Sequence, residues 1–319
     1  MNKQDVIISL LKEIDKNIDN VNDSGCTNAN LKELTVTANG EYLPADYNVD
    51  GFSKVVAQVV PTKRAVLSKM PIINNNCIVD GYWAGELVDV SLISNFAGIF
   101  ATCSNLKIID VSNWDTSNAT AMNSMFRFCS QLQSLDVSNW NTSKVTNMFG
   151  MFEGCTSLQS LDVSNWNTSK VTECPRLFHT CFELQSLDVS RWDVSNINNI
   201  TDIFYRCGKL QKLDLSNWNV SNVLATNDTF VGCGSLQSLI GNRTIDEVIA
   251  NNVGALNGLK VSLHVNGLPL DRASLRALIN GLADLTGQNA QTLFFGNTLI
   301  AKLTEEDIAI ATAKNWTIV

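Results

Sequence analysis

The sequence predicts an α/β solenoid in which a short strand and a short helix alternate, one pair per 26-residue unit. Three columns of identical residues predict it. Trp114, Trp140, Trp166, Trp192 and Trp218 recur at a step of 26. Phe100, Phe126, Phe152, Phe178, Phe204 and Phe230 keep that step, and so do Cys103, Cys129, Cys155, Cys181, Cys207 and Cys233. A period between about 20 and 29 residues with an L-x-x-L-x-L-like core marks a leucine-rich solenoid. Here the core phrase is SQLQSLDVSNW from Ser130 to Trp140 and TSLQSLDVSNW from Thr156 to Trp166.

One unit explains the columns. Between Asn141 and Trp166, Ser160-Leu161-Asp162-Val163-Ser164 alternates polar and apolar, which suits a strand with Leu161 and Val163 inward. Asn165 to Ser169 is turn chemistry, with hydroxyls placed to cap a helix. Val145, Met148, Met151, Phe152 and Cys155 fall at steps of three and four, one face of a helix. A single unit cannot bury its apolar side. Stacking sets each side chain on its counterpart next door, with strands about 4.8 Å apart.

In chain order, residues 1–24 come first, as a helical anchor. Ile7, Leu11, Ile14, Ile18 and Val21 are spaced as a heptad seam. β-Branched residues at the d positions favour three or more strands, so a homo-oligomer is expected, a trimer first. The alternative is an amphipathic helix lying on its own domain. Residues 25–61 form a small β module with strands around Leu34–Thr37 and Val55–Val60. Residues 62–319 are the solenoid, regular over about 100–239 and irregular at both ends, as terminal caps are. Val88-Asp89-Val90-Ser91 is a degraded strand phrase, and Phe96 to Phe100 reads as its helix. Beyond Leu239, strands are expected at Val261–Val265, Thr292–Phe295 and Trp316–Val319. Helices are expected after Asp271, carrying Leu275, Leu278, Ile279 and Leu282, and after Thr304, whose first turn is acidic.

The stretch LDVSNWNTSKVTNMFGMFEGC, Leu135 to Cys155, resembles the BspA-type leucine-rich repeat of bacterial and phage surface proteins. The resemblance is specific over five units, Leu106 to Trp218. It implies extracellular binding or adhesion and no catalysis, and it names no ligand. ANGEYLPADYNVDGFSKVVAQVVP, Ala38 to Pro61, resembles a short β module of phage tail and other virion proteins. The ending LTEEDIAIATAKNWTIV resembles the closing segment of the repeat family.

Charge and motifs exclude several classes. The formal net charge is −8, without the clustered basic surface a nucleic-acid partner needs. No run of eighteen apolar residues predicts a membrane span. The start lacks the pattern of a secretory signal, so a cytosolic site of synthesis is expected unless an unusual export route exists. No phosphate-binding loop, dinucleotide fingerprint or nucleophile elbow occurs, so neither an enzyme nor a cofactor is expected. Cys174, His179 and Cys181 are close in sequence but lack a fourth zinc ligand. Buried thiols explain the cysteine column better. The aspartates Asp110, Asp136, Asp162, Asp188 and Asp214 are expected to bond locally to the neighbouring coil, and calcium is a lesser alternative. The tryptophans read as a buried strip before an exposed sugar platform. Asn113, Asn139, Asn165 and Asn217 read as a ladder between turns.

The candidate binding residues are those that break the repeat: His179, Phe182, Arg191, Tyr205 and Arg206, with Pro175 interrupting a helix start. Exposed aromatic and arginine side chains over adjacent coils suit a contact surface, and neutral drift suits them equally. The functional expectation is a non-enzymatic phage virion protein. Its partner would be a protein or glycan on a cell surface, or neighbouring virion proteins. The alternatives are a bacterial cell-surface adhesin and, further off, an intracellular enzyme or regulator built on repeats.

Overall fold

The computed structural model describes residues 88–319 without a break, and before them Ala65–Val66, Ile73, Ile78–Val79 and Tyr82–Trp83. The expected anchor helix and β module, with Ile7, Leu11, Ile14, Ile18 and Val21, lie outside the described residues.

The repeats stack in parallel, each residue over its counterpart in the next coil. β1 (Ala65–Val66) pairs in parallel with β4 (Val88–Asp89). β2 (Ile78–Val79) and β3 (Tyr82–Trp83) form an antiparallel pair between them. β5 (Ile108–Ile109) pairs with β6 (Ser134–Leu135), Ile108 opposite Ser134. Single parallel bridges Ser160–Ser186 and Lys212–Ser238 continue that strip. A second strip runs through the bridges Asn95–Ala121–Asn147–Glu173 and Asn199–Ala225. Leu161 and Val163 face inward and Asp162 outward, as the alternation predicts.

The expected repeat helices do not form. Val145, Met148, Met151, Phe152 and Cys155 are all buried, but on a chain of tight turns. Every second N–H along this path leaves the coil. Met122, Ser124, Phe126 and Phe128 donate to the carbonyls of Asn147, Phe149, Met151 and Glu153 in the next coil. The intervening Met125 and Arg127 close turns onto Met122 and Ser124. A helix would use all these donors internally and leave the stack unbonded. The turn path serves both needs, at the cost of two left-handed residues per coil, among them Ser124 and Phe128, Gly150 and Gly154, Arg176 and Thr180, Asp202 and Arg206. Pro175 therefore interrupts nothing. The equivalent N–H of Phe149 and Thr201 bonds only an asparagine side chain in its own coil, whereas the Pro175 carbonyl accepts from Gly150. The hydroxyls expected to cap helices bridge coils instead: Thr142 Oγ1 donates to Asn167 O (3.0 Å) and Thr168 Oγ1 to Asp193 O (2.9 Å).

The core is the three columns. Trp114 stacks on Trp140 with ring centroids 6.3 Å apart and planes 2° apart, and Trp192 on Trp218 at 6.4 Å and 4°. Each indole N–H from Trp140 to Trp218 donates to a valine carbonyl of the preceding coil, Trp140 to Val111 at 3.0 Å. The phenylalanines stack alongside, Phe126 on Phe152 at 5.9 Å. Each thiol from Cys129 to Cys233 donates to the carbonyl of a phenylalanine one coil back, Cys129 to Phe100 at 3.1 Å. The asparagine ladder is carried mainly by another column: Asn118, Asn196 and Asn222 donate to Ser91, Ser169 and Ser195, beside Asn217 to Ser190.

The far end is closed by α1 (Ile245–Ala250), β7 (Leu263–His264), α2 (Arg272–Gly281), β8 (Gln291–Phe294), α3 (Asn297–Ile300), α4 (Glu305–Ala313) and β9 (Trp316–Ile318). β7, β8 and β9 form a parallel sheet in that order. Asp271 and Thr304 cap α2 and α4 as expected. α1, with a capping box from Thr244 to Glu247, was not foreseen. No helix among the described residues is long and apolar enough to cross a membrane.

Candidate functional site

The turn path presents one edge of the stack to solvent, and there the repeat varies most. Successive coils place Arg127, Glu153, His179, Tyr205 and Val231 in one slot, and Phe128, Gly154, Thr180, Arg206 and Gly232 in the next. The first slot forms a run of contacts. Arg127 Nε sits 2.9 Å from Glu153 Oε2. His179 stacks on Tyr205 with centroids 4.7 Å apart, and Arg206 lies over the other partner of that stack, 5.3 Å from the Tyr205 centroid. Arg176 pairs with Asp202 at 3.1 Å and Lys209 with Glu183 at 2.7 Å. Arg206 makes no ion pair among the described residues.

Three large side chains on this edge each lie across a glycine of the next coil. Phe128 covers Gly154, Phe182 covers Gly208, and the stem of Arg206 covers Gly232. A Cβ at Gly208 would sit 2.8 Å from Phe182 Cε2, and one at Gly232 2.8 Å from Arg206 Cγ. The glycines are the space the rings and stem occupy. Phe128 and Phe182 nevertheless remain 43% and 49% exposed, so each ring has one face on backbone and the other in water.

His179 Nδ1 is 2.8 Å from Thr180 Oγ1. Burial holds its pKa below the ordinary value; Glu153 and Asp202 oppose that, while Arg176 and Arg206 reinforce it. The ring is therefore neutral at pH 7. Of the predicted residues, His179, Tyr205 and Arg206 come together and Phe182 sits on the following turn of the same edge. Arg191 does not join them: it is exposed beside buried Trp192, in the column of Asn165 and Asn217. Sequence reasoning passed over Arg127, Phe128, Glu153, Arg176 and Asp202. The missed signal was a large residue 26 positions before a glycine, three times over.

The strand face is a shallow groove with Leu135, Leu161 and Leu187 in its floor and the aspartates along it. The aspartates bond within their own turns, a correction to the expected bond to the neighbouring coil. Asp136 Oδ1 accepts from the N–H (3.1 Å) and hydroxyl (2.7 Å) of Ser138, and the other four repeat this. At Asp162 the Ser164 hydroxyl, then its N–H, lowers the carboxyl pKa. Among the described residues no three His, Cys, Asp or Glu side chains converge to hold a metal ion. The thiol of Cys181 faces the Phe152 carbonyl.

The family described as "Mycoplasma protein of unknown function, DUF285" matches residues 82–186 and again 159–255. Together the two matches span more than half of the chain. The chain belongs to the DUF285 family. The DUF285 matches cover the five units that carry the BspA-type resemblance, whereas Ala38 to Pro61 lies outside both. Among solved structures, an internalin (inlF) from Listeria monocytogenes str. 4b F2365 is similar at 14% identity over 63% of this chain and 76% of that one. Its TM-score is 0.17, too low to bear on the fold. No curated protein matches the chain.

Proposed function

We propose that this DUF285 chain is a non-enzymatic contact protein of a bacterial cell surface, a leucine-rich-repeat scaffold whose turn edge meets the partner. One observation carries the reading: Phe128, Phe182 and Arg206 are exposed yet fixed across glycines of the adjacent coil. Aromatic and arginine side chains dominate contact energetics, and rigid ones lose little entropy on binding. The columns behind them are occupied by packing and hydrogen bonding, so contact chemistry is left to the outside. The virion reading rests on residues 1–61, outside the description, and has less support than the cell-surface one.

The test is binding of the labelled full chain to intact cells, read by flow cytometry. The triple variant Phe128→Ala, Phe182→Ala, Arg206→Ala should bind at least tenfold more weakly with an unchanged far-ultraviolet spectrum. Undiminished binding by a folded triple variant would exclude the turn edge. Antibody labelling of unpermeabilised source cells, against purified phage particles, separates surface from virion.

A further inference from the structure

We infer that the turn edge takes a neutral carbohydrate chain, the hexose C–H faces lying on Phe128 and Phe182 and the hydroxyls held by the polar groups between them. The inference rests on the contact function proposed above and names the ligand class for that edge. Its ground is the arrangement of apolar and polar groups. Phe128 and Phe182 are single rings in different coils, each flat on a glycine with its other face open. They are not joined by apolar surface. Between and around them stand Glu153, Thr156, Thr180, Glu183, Arg206 and Lys209, all donors or acceptors. A protein hot spot needs a desolvated pocket ringed by contacts that exclude water, which this edge lacks. A pyranose has weakly polar C–H faces that suit an aromatic face, and a rim of hydroxyls that suits charged side chains. Separated rings with hydrogen-bonding groups between them match that alternation.

The charges also favour a neutral ligand. Arg127 is paired with Glu153, Arg176 with Asp202 and Lys209 with Glu183, so most of the edge is locally neutralised. The chain carries a net −8, which repels a polyanion at long range. Arg206, stacked over Tyr205 and unpaired, offers a planar fork of donors to vicinal hydroxyls.

The experiment applies the full-length protein to an array of neutral and acidic oligosaccharides and measures the strongest ligand by calorimetry. Binding to a neutral series is expected. Phe128→Ala and Phe182→Ala should each weaken it at least tenfold, and Phe128→Tyr and Phe182→Tyr, which keep the ring, should restore it. Equal binding by the alanine variants, or a strict preference for acidic glycans, would overturn the assignment. Treating whole cells separates the two levels of the proposal. Cell binding that survives periodate and is lost to protease would make the partner a protein, leaving the contact function standing and this inference false. Absence of binding to any cell would sink both.

Discussion

A non-glycine residue in the left-handed region costs about 1–2 kcal/mol, and this chain carries such residues in every regular coil, Phe128 at φ 61° and Arg206 at φ 55° among them. The cost persists because the alternate N–H groups it aims outward bond the next coil, and an unmade buried bond costs as much or more. Where a large side chain occupies the slot, the next coil must leave room. Gly154→Ala should therefore destabilise on two counts, φ 77° and the Phe128 ring above it, by about 2–3 kcal/mol in urea denaturation. A loss below about 0.5 kcal/mol would mean the ring is not seated on the glycine. The thiol column makes a chemical prediction. Burial pushes Cys103 and Cys233 up to about 12, and Cys129, Cys155, Cys181 and Cys207 well above the ordinary thiol range. The thiolate is the reactive form. Of nine cysteines, seven are buried and free, so a disulfide reagent should titrate at most two in the native protein and all nine in denaturant.

Among the elements, α4 is the one whose attachment depends on charge. Its Asp307 is fully buried, closes the capping box with Thr304, and accepts from Arg276 Nη1 at 2.6 Å and Arg272 Nη2 at 3.1 Å. Burial alone would raise the carboxyl; the Thr304 N–H, Arg276, the Thr304 hydroxyl and Arg272 outweigh it and bring it to about 2. A lowered carboxylate gives stability that is complete above its unfolded value and is lost as pH falls through the folded one. The window is pH 3.8 down to about 2, with a contribution on the order of 2 kcal/mol. Asp307→Asn should flatten the fall in melting temperature across that window; an unchanged slope would place the acid sensitivity elsewhere. This end of the chain was also the most legible from sequence. Asp271 and Thr304 announce their helices because a cap is a local event between a side chain and the backbone two or three residues on. The strand phrase was legible for the same reason. The repeat helix was misread because its apolar spacing of three and four fits any path that turns inward at that rhythm. The hydrogen bonds that decide against it run to a coil 26 residues away, beyond the reach of local periodicity. The turn-edge residues were half legible: variation drew the eye to His179, Phe182, Tyr205 and Arg206. Their seats on Gly208 and, for Arg206, Gly232 appear only when the coils are stacked.

At the scale of the molecule, every coil touches only its neighbours, so stability is approximately a sum of units and interfaces. One coil should then be removable, provided the columns stay in register. Deleting residues 167–192 joins Trp166 to Asp193 and sets Phe152 against Phe204 and Cys155 against Cys207. Glycines Gly150 and Gly154 then face Asp202 and Arg206, where nothing large lies over a filled slot. Phe128 keeps Gly154 and Arg206 keeps Gly232, while Phe182 and His179 go. The shortened protein should fold cooperatively and melt only a few degrees lower. Deleting residues 168–192 instead, one residue fewer, turns each inward side chain of the following strand outward and displaces every column by one position. That variant should lose the cooperative transition and expose its tryptophans, giving a red-shifted emission. If both deletions behave alike, register is not what holds the coils together, and the column packing described here is not the source of the fold.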